Sequence, residues 1–288
     1  MKSGIRCLQL LLIALLVTGC ASTPEEVKPE AEYYEEARSA MDAGNFSTAE
    51  QNLEYLETYY PFGRYAEQAQ LDLIYARYQN LDLEGARTAA DRFLRLNPQS
   101  DHADYALYLR GVASYNLDVS IAADLFPIDP SERDPGEQRQ AYRDFQKLLA
   151  RHPDSEYAPD ARQRMIAIRN KLARLEIHAA RYYIKRQAYV AANNRARYVV
   201  ENFPNTPSVE PALKILVETY DFLKLNKAKG DAQQLLAINY PESDAFGDDG
   251  RYQPSMLETE TRSLTNVITF GLMGDESQEP AEAETPDE

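Results

Sequence analysis

The stretch Tyr59-Tyr60-Pro61-Phe62-Gly63-Arg64-Tyr65-Ala66 decides how the chain is read. An apolar or aromatic run meets a proline, polar residues follow, and a new helical segment begins. The pattern returns at Leu96-Asn97-Pro98-Gln99-Ser100, Arg151-His152-Pro153-Asp154-Ser155, Asn202-Phe203-Pro204-Asn205-Thr206 and Asn239-Tyr240-Pro241-Glu242-Ser243. Proline disfavours the α conformation in the residue before it, so each copy ends a helix. The Ser or Thr two positions on is placed to cap the next one. Repeated joints of this kind mark an array of helical hairpins.

The five prolines stand 37, 55, 51 and 37 residues apart. A tetratricopeptide hairpin repeats about every 34 residues with a proline near its end, so the longer intervals carry insertions. Small and apolar residues recur 12, 8 and 5 positions before the proline: Ala49, Leu53 and Leu56; Ala86, Ala90 and Phe93; Ala141, Phe145 and Leu148; Ala192, Ala196 and Val199. Spacings of four and three share one helix face, and Ala lets helices approach closely. The fifth copy has Lys229 and Gln233 at the first two places, as a terminal repeat would. The expected fold is all-α: a right-handed α-solenoid of about five tetratricopeptide hairpins over residues 32–246, forming one cooperative body. Asp160 to Gln187 has neither proline nor glycine and reads as one long helix.

The termini read differently. Lys2 and Arg6 precede an apolar run from Leu8 to Val17, the layout of a signal peptide over residues 1–19. It closes on Val17-Thr18-Gly19-Cys20, which resembles a lipobox, so Cys20 is the expected lipidated N-terminus. Ala21, rather than Asp, implies the outer membrane. Residues 20–31 form a Pro- and Glu-rich tether, and 247–288 an acidic, largely disordered tail. Within that tail lies a short apolar island, Leu264 to Phe270. With Cys7 lost and Cys20 lipidated, no thiol remains for a disulfide or a Cys-based site.

The formal charge is −15, and losing Lys2 and Arg6 makes it two units more negative. That argues against nucleic acid as a partner. Residues 161–200 nevertheless hold ten basic side chains against one acid, Glu176, with Arg195 and Arg197 among them. Two readings stay open: a solvated helix face balanced by its neighbours, or a surface for an acidic partner. The insertion near residues 117–134 is Asp-rich but lacks EF-hand spacing, and Asp134-Pro135 with Glu137 reads as a helix start. His102, His152 and His178 form no metal-ligand motif, no cofactor is implied, and no enzyme is expected.

Tyrosine is abundant, at 20 copies. Tyr60, Phe62, Arg64, Tyr65, Tyr75 and Tyr78 cluster in the first two repeats, where a solenoid could bind an extended peptide. The same rings could pack between hairpins.

Several strings carry a family likeness: Tyr-Pro-Phe-Gly-Arg-Tyr-Ala-Glu-Gln-Ala-Gln-Leu-Asp-Leu-Ile-Tyr-Ala from Tyr60, Asp-Arg-Phe-Leu-Arg-Leu-Asn-Pro from Asp91, Leu109-Arg110-Gly111, the loop Asp129 to Pro135, and Asn194-Arg195. They resemble the BamD family, the lipoprotein component of the outer-membrane β-barrel assembly (BAM) machinery. The resemblance spans residues 20–241. It implies a lipid-anchored protein facing the periplasm, whose early repeats receive unfolded barrel proteins ending in an aromatic residue. Its late repeats would hold a periplasmic domain of the barrel subunit BamA and the small lipoproteins of the complex. The competing reading is another repeat lipoprotein of the envelope, such as a pilotin or a cell-division coordinator.

Overall fold

A computed structural model describes residues 27–117, 135–247 and 249–254. The described residues fold into ten helices: α1 Glu30–Asp42, α2 Phe46–Tyr59, α3 Ala66–Gln79, α4 Leu83–Leu96, α5 Ala103–Leu117, α6 Gly136–Arg151, α7 Ala158–Lys185, α8 Tyr189–Asn202, α9 Val209–Phe222 and α10 Asn226–Asn239. The only β-structure among them is an isolated antiparallel bridge, Phe246 to Tyr252. α1 with α2, α3 with α4, α7 with α8 and α9 with α10 pack as helical hairpins, an all-α repeat fold with each joint proline just past α2, α4, α6, α8 and α10 in turn. Cys20, the insertion up to Asp134 and the apolar island 264–270 lie outside the described residues.

The spacing rule holds throughout the first four repeats. All twelve residues at 12, 8 and 5 before the prolines are fully buried, and Leu236 holds the last of these places in the fifth. In the fifth repeat Lys229 instead reaches Asp221 at 3.0 Å. Ala232 enters the core beside Leu236.

One cooperative body was expected, yet the chain parts into two compact units. The first runs through Leu117 and takes back Ala150–Ser155; the second holds the remainder. The division falls in the third pair, where the inserted segment separates α5 from α6. In the first unit consecutive helices α1 to α5 pack on one another, and α3 also meets α5. Its cores join Tyr33, Leu53, Leu56 and Leu73, then Leu71, Ile74, Phe93 and Leu109. In the second, α7 to α10 build a core on Ile177, Ile184, Val199, Leu213 and Leu236. The long helix is real, running 28 residues from Ala158. Its last half pairs with α8, and Arg169 donates to the carbonyls of Asn202 and Pro204 at the joint. The extra length of the third interval is therefore helix that continues past that joint.

The turn inside a hairpin is built the same way four times. Gly44, Leu81, Gln187 and Lys224 each take a left-handed φ of 57–73°. Around Gly44, its N–H donates to Met41 and that of Asn45 to Ala40, and the other three turns repeat both bonds. This is a Schellman ending, in which a left-handed residue lets the chain satisfy the last carbonyls. Asn45 and Asp82 then cap the next helix through their side chains, whereas Ala188 and Leu225 at the same place cannot. Ala188→Asp is expected to raise the unfolding free energy by about 1 kcal/mol, since it supplies an acceptor to unpaired N–H groups at the start of α8. Thermal denaturation of the purified variant checks it.

The joint serines do something other than the expected capping. Ser100 donates to Glu67 at 2.6 Å, Ser155 to Asp104 at 2.6 Å and Ser243 to Glu210 at 2.7 Å. Each acid sits in the first turn of its own hairpin's first helix, so the hydroxyl closes the open end of the pair. The entry helices α3, α7 and α9 lack a side-chain cap. In the first repeat the serine is replaced by Gly63, and a Cβ there would lie 2.1 Å from the Glu30 carboxylate. Glu30 uses that space to accept the Tyr65 N–H at 2.7 Å.

The hydroxyl of Ser243, and then Lys214 beside it, hold the Glu210 carboxyl below its ordinary 4.5. A depressed pKa contributes stability present above 4.5 and lost as pH falls through the folded value. Wild-type unfolding free energy should therefore decline more steeply below pH 4.5 than that of Glu210→Gln, measured by denaturant titration across pH.

Candidate peptide and partner surfaces

The first joint sits where α2 ends. Proline 61 halts the helix, and the four following residues turn before α3 begins, with the Gly63 N–H donating back to Tyr60 at 3.0 Å. No helix among the described residues covers this turn, and Phe62 projects with 98% of its surface exposed. Around it the rings form two sets. Tyr65 stacks on Tyr34 at 4.5 Å, with the Arg64 guanidinium 5.7 Å above the Tyr65 ring. Tyr59 lies over Tyr33 at 6.1 Å and beside Tyr55 at 6.2 Å, yet stays 44% exposed. Tyr60 is pinned through its hydroxyl, which donates to the Lys28 carbonyl at 2.9 Å. Burial, then Asp72, pushes the Tyr34 phenol up.

The six residues singled out from sequence therefore do not make one patch. Tyr60, Phe62, Arg64 and Tyr65 gather at the joint. Tyr75 and Tyr78 lie near the far end of α3, roughly 15–20 Å along it at 1.5 Å per residue. There Tyr75 meets Phe46 edge-on at 5.9 Å, and Tyr78 accepts a bond from Asn116 at 3.0 Å. Arg77 is held by Glu50 at 2.9 Å and Glu54 at 2.5 Å. Exposed Tyr59, which opens the same aromatic run in the sequence, belongs with the joint.

The late basic stretch is resolved into roles. Arg195 spans from α8 to Glu176 of α7 at 2.9 Å, with Glu176 only 12% exposed. That bond raises the Arg195 pKa further. Arg197 bonds Asn194 at 2.9 Å and lies 3.9 Å from Glu201, while remaining about half exposed. Arg169 covers the Phe203 ring and Arg186 the Tyr182 ring. Arg174 and Arg181 are exposed, and at seven residues apart they share one face of α7. Fixed and free cations are thus mixed in one stretch.

All-α hairpins joined at proline turns define a helical repeat scaffold. The model of the YfiO family, described as outer membrane lipoprotein, matches residues 26–235, and the chain belongs to that family. A protein of Vibrio cholerae named outer membrane protein assembly factor BamD is 42% identical over 231 residues, 80% of this chain and 96% of that one. Its namesake in Neisseria meningitidis serogroup B is 41% identical over 210 residues, 73% of this chain and 79% of the relative. Among solved structures, a tetratricopeptide repeat protein from Parabacteroides merdae aligns at TM-score 0.34 and 15% identity, covering 75% of this chain and 68% of its own. No helix among the described residues is long and apolar enough to cross a membrane.

Proposed function

We propose that this chain is a subunit of the outer-membrane β-barrel assembly machinery, anchored through Cys20 and facing the periplasm, which receives unfolded barrel proteins. Membership of an outer membrane lipoprotein family and likeness to assembly factors support the role. The observation that carries the mechanism is Phe62, fully presented on a rigid joint between Tyr59 and Arg64. An extended chain ending in an aromatic ring and a carboxylate meets rings for its side chain and a guanidinium for its charge. The rigid support keeps the ordering cost of binding low.

The second unit supplies the site for partner subunits. Arg174, Arg181 and Arg197 offer cations to an acidic face of the periplasmic domain of BamA, with the small lipoproteins of the complex nearby. Charges of this kind steer association and set orientation. Affinity purification of the tagged protein from solubilised outer membrane tests the reading. A β-barrel subunit with periplasmic domains should co-elute stoichiometrically. Elution alone, or with secretin or division proteins, contradicts it.

A further inference from the structure

The family match stops at residue 235, and what the chain does next has its own logic. After α10 it turns at the fifth joint and doubles back. The Gln253 N–H bonds Ala245 at 2.7 Å, and the Tyr252 hydroxyl reaches Glu218 of α9 at 3.2 Å. The expected acidic tail thus begins with a folded segment, and the described body extends to Pro254. Tyr252 and Pro254 close one side of a groove of about 250 Å³ whose other walls are Val217, Glu218, Asp221, Phe222, Lys224 and Lys229. That is smaller than the roughly 300–1,000 Å³ of small-molecule sites, and suits a side chain of a docking segment.

Within the groove Asp221 is matched by Lys229 at 3.0 Å and Glu218 accepts from the Tyr252 hydroxyl, while the edge beyond them is apolar and basic. Phe222 is 53% exposed although its ring meets Tyr189 at 3.7 Å, and Leu225 beyond it is half exposed. Lys224 and Lys227 are exposed beside them. Exposed apolar surface grouped in this way is a docking signal rather than a random hydrophobe.

We propose that the chain's own C-terminal segment occupies this surface, with the apolar island Leu264–Phe270 on the Phe222 groove and the following acids toward Lys224 and Lys227. Three observations select it over another occupant. Pro254, from which that segment continues, is itself part of the groove wall. The ten residues from Pro254 to Leu264 span up to about 33 Å, ample for an adjacent site. Residues 275–288 carry seven acids and no base, opposite in sign to exposed Lys224 and Lys227. Tethering makes the contact intramolecular, so even weak complementarity suffices. Docking covers the face of the last repeat on which no further hairpin stacks among the described residues.

The test places a photo-crosslinker at Phe222 in the mature full-length protein, mixed from light and heavy isotope-labelled copies. Crosslinked peptides should map within one copy to residues 255–288, concentrated at 264–270. Replacing Leu264, Val267, Ile268 and Phe270 by Ser should cut their yield at least about fivefold with circular dichroism unchanged. Lys224→Glu with Lys227→Glu should lower it as well. Crosslinks joining light to heavy copies, crosslinks to other parts of the chain, or a yield indifferent to the Ser replacements would each overturn the proposal. The outcome does not depend on the assembly role.

Discussion

Phe93→Ala is expected to lower the unfolding free energy of the first unit by about 3–5 kcal/mol, measured by denaturant titration. Phe93 is fully buried and packs in the core with Leu71, Ile74 and Leu109. The loss combines its transfer free energy with a cavity that α3, α4 and α5 cannot close, because each is already held by its neighbours. Within the first unit each helix packs on the next, so one unfolded hairpin disconnects its neighbours there. Phe62→Ala, by contrast, should leave stability within about 0.5 kcal/mol, because a ring that touches solvent contributes little to the fold.

Arg195→Glu is expected to destabilise the isolated protein by about 1–3 kcal/mol. The sequence leaves this arginine open between a balanced helix face and a partner surface; its 2.9 Å bond to Glu176 ties it to α7. The pair is partly shielded, so its worth lies between that of an exposed pair and a buried one, and reversal sets two carboxylates together. Arg174→Glu combined with Arg181→Glu makes the contrast. Both side chains are exposed, so thermal unfolding should hold while association with an acidic partner slows about tenfold or more at low salt. The comparison separates the structural arginine from the presented ones on the same purified proteins.

The core was legible because its signal is local. Proline sets the frame, and the 12, 8 and 5 spacing places one helix face against its neighbours without knowledge of what those neighbours are. Roles decided by long-range contacts were not. Tyr75 and Tyr78 look continuous with Tyr65 in sequence, but fourteen residues of α3 carry them to the other end of the hairpin. Ser100 and Ser243 stand at cap positions, yet an acid 33 residues earlier claims each hydroxyl. The basic run concealed one arginine tied to Glu176, a pairing set by the antiparallel course of α7 and α8. The return loop ending at Pro254 has no periodicity, and only its bonds to Ala245 and Glu218 show that it is folded.

Whether the first joint receives the aromatic end of an unfolded barrel protein is decided by binding of a fluorescent peptide corresponding to a barrel's last strand, ending in Phe, to the mature protein at moderate salt. Saturable binding is expected, weakening at least tenfold when the terminal Phe is removed, and comparably in Phe62→Ala, with Tyr78→Ala near wild type. Equal binding of a scrambled peptide, or a Phe62→Ala protein that binds like wild type, would contradict that role.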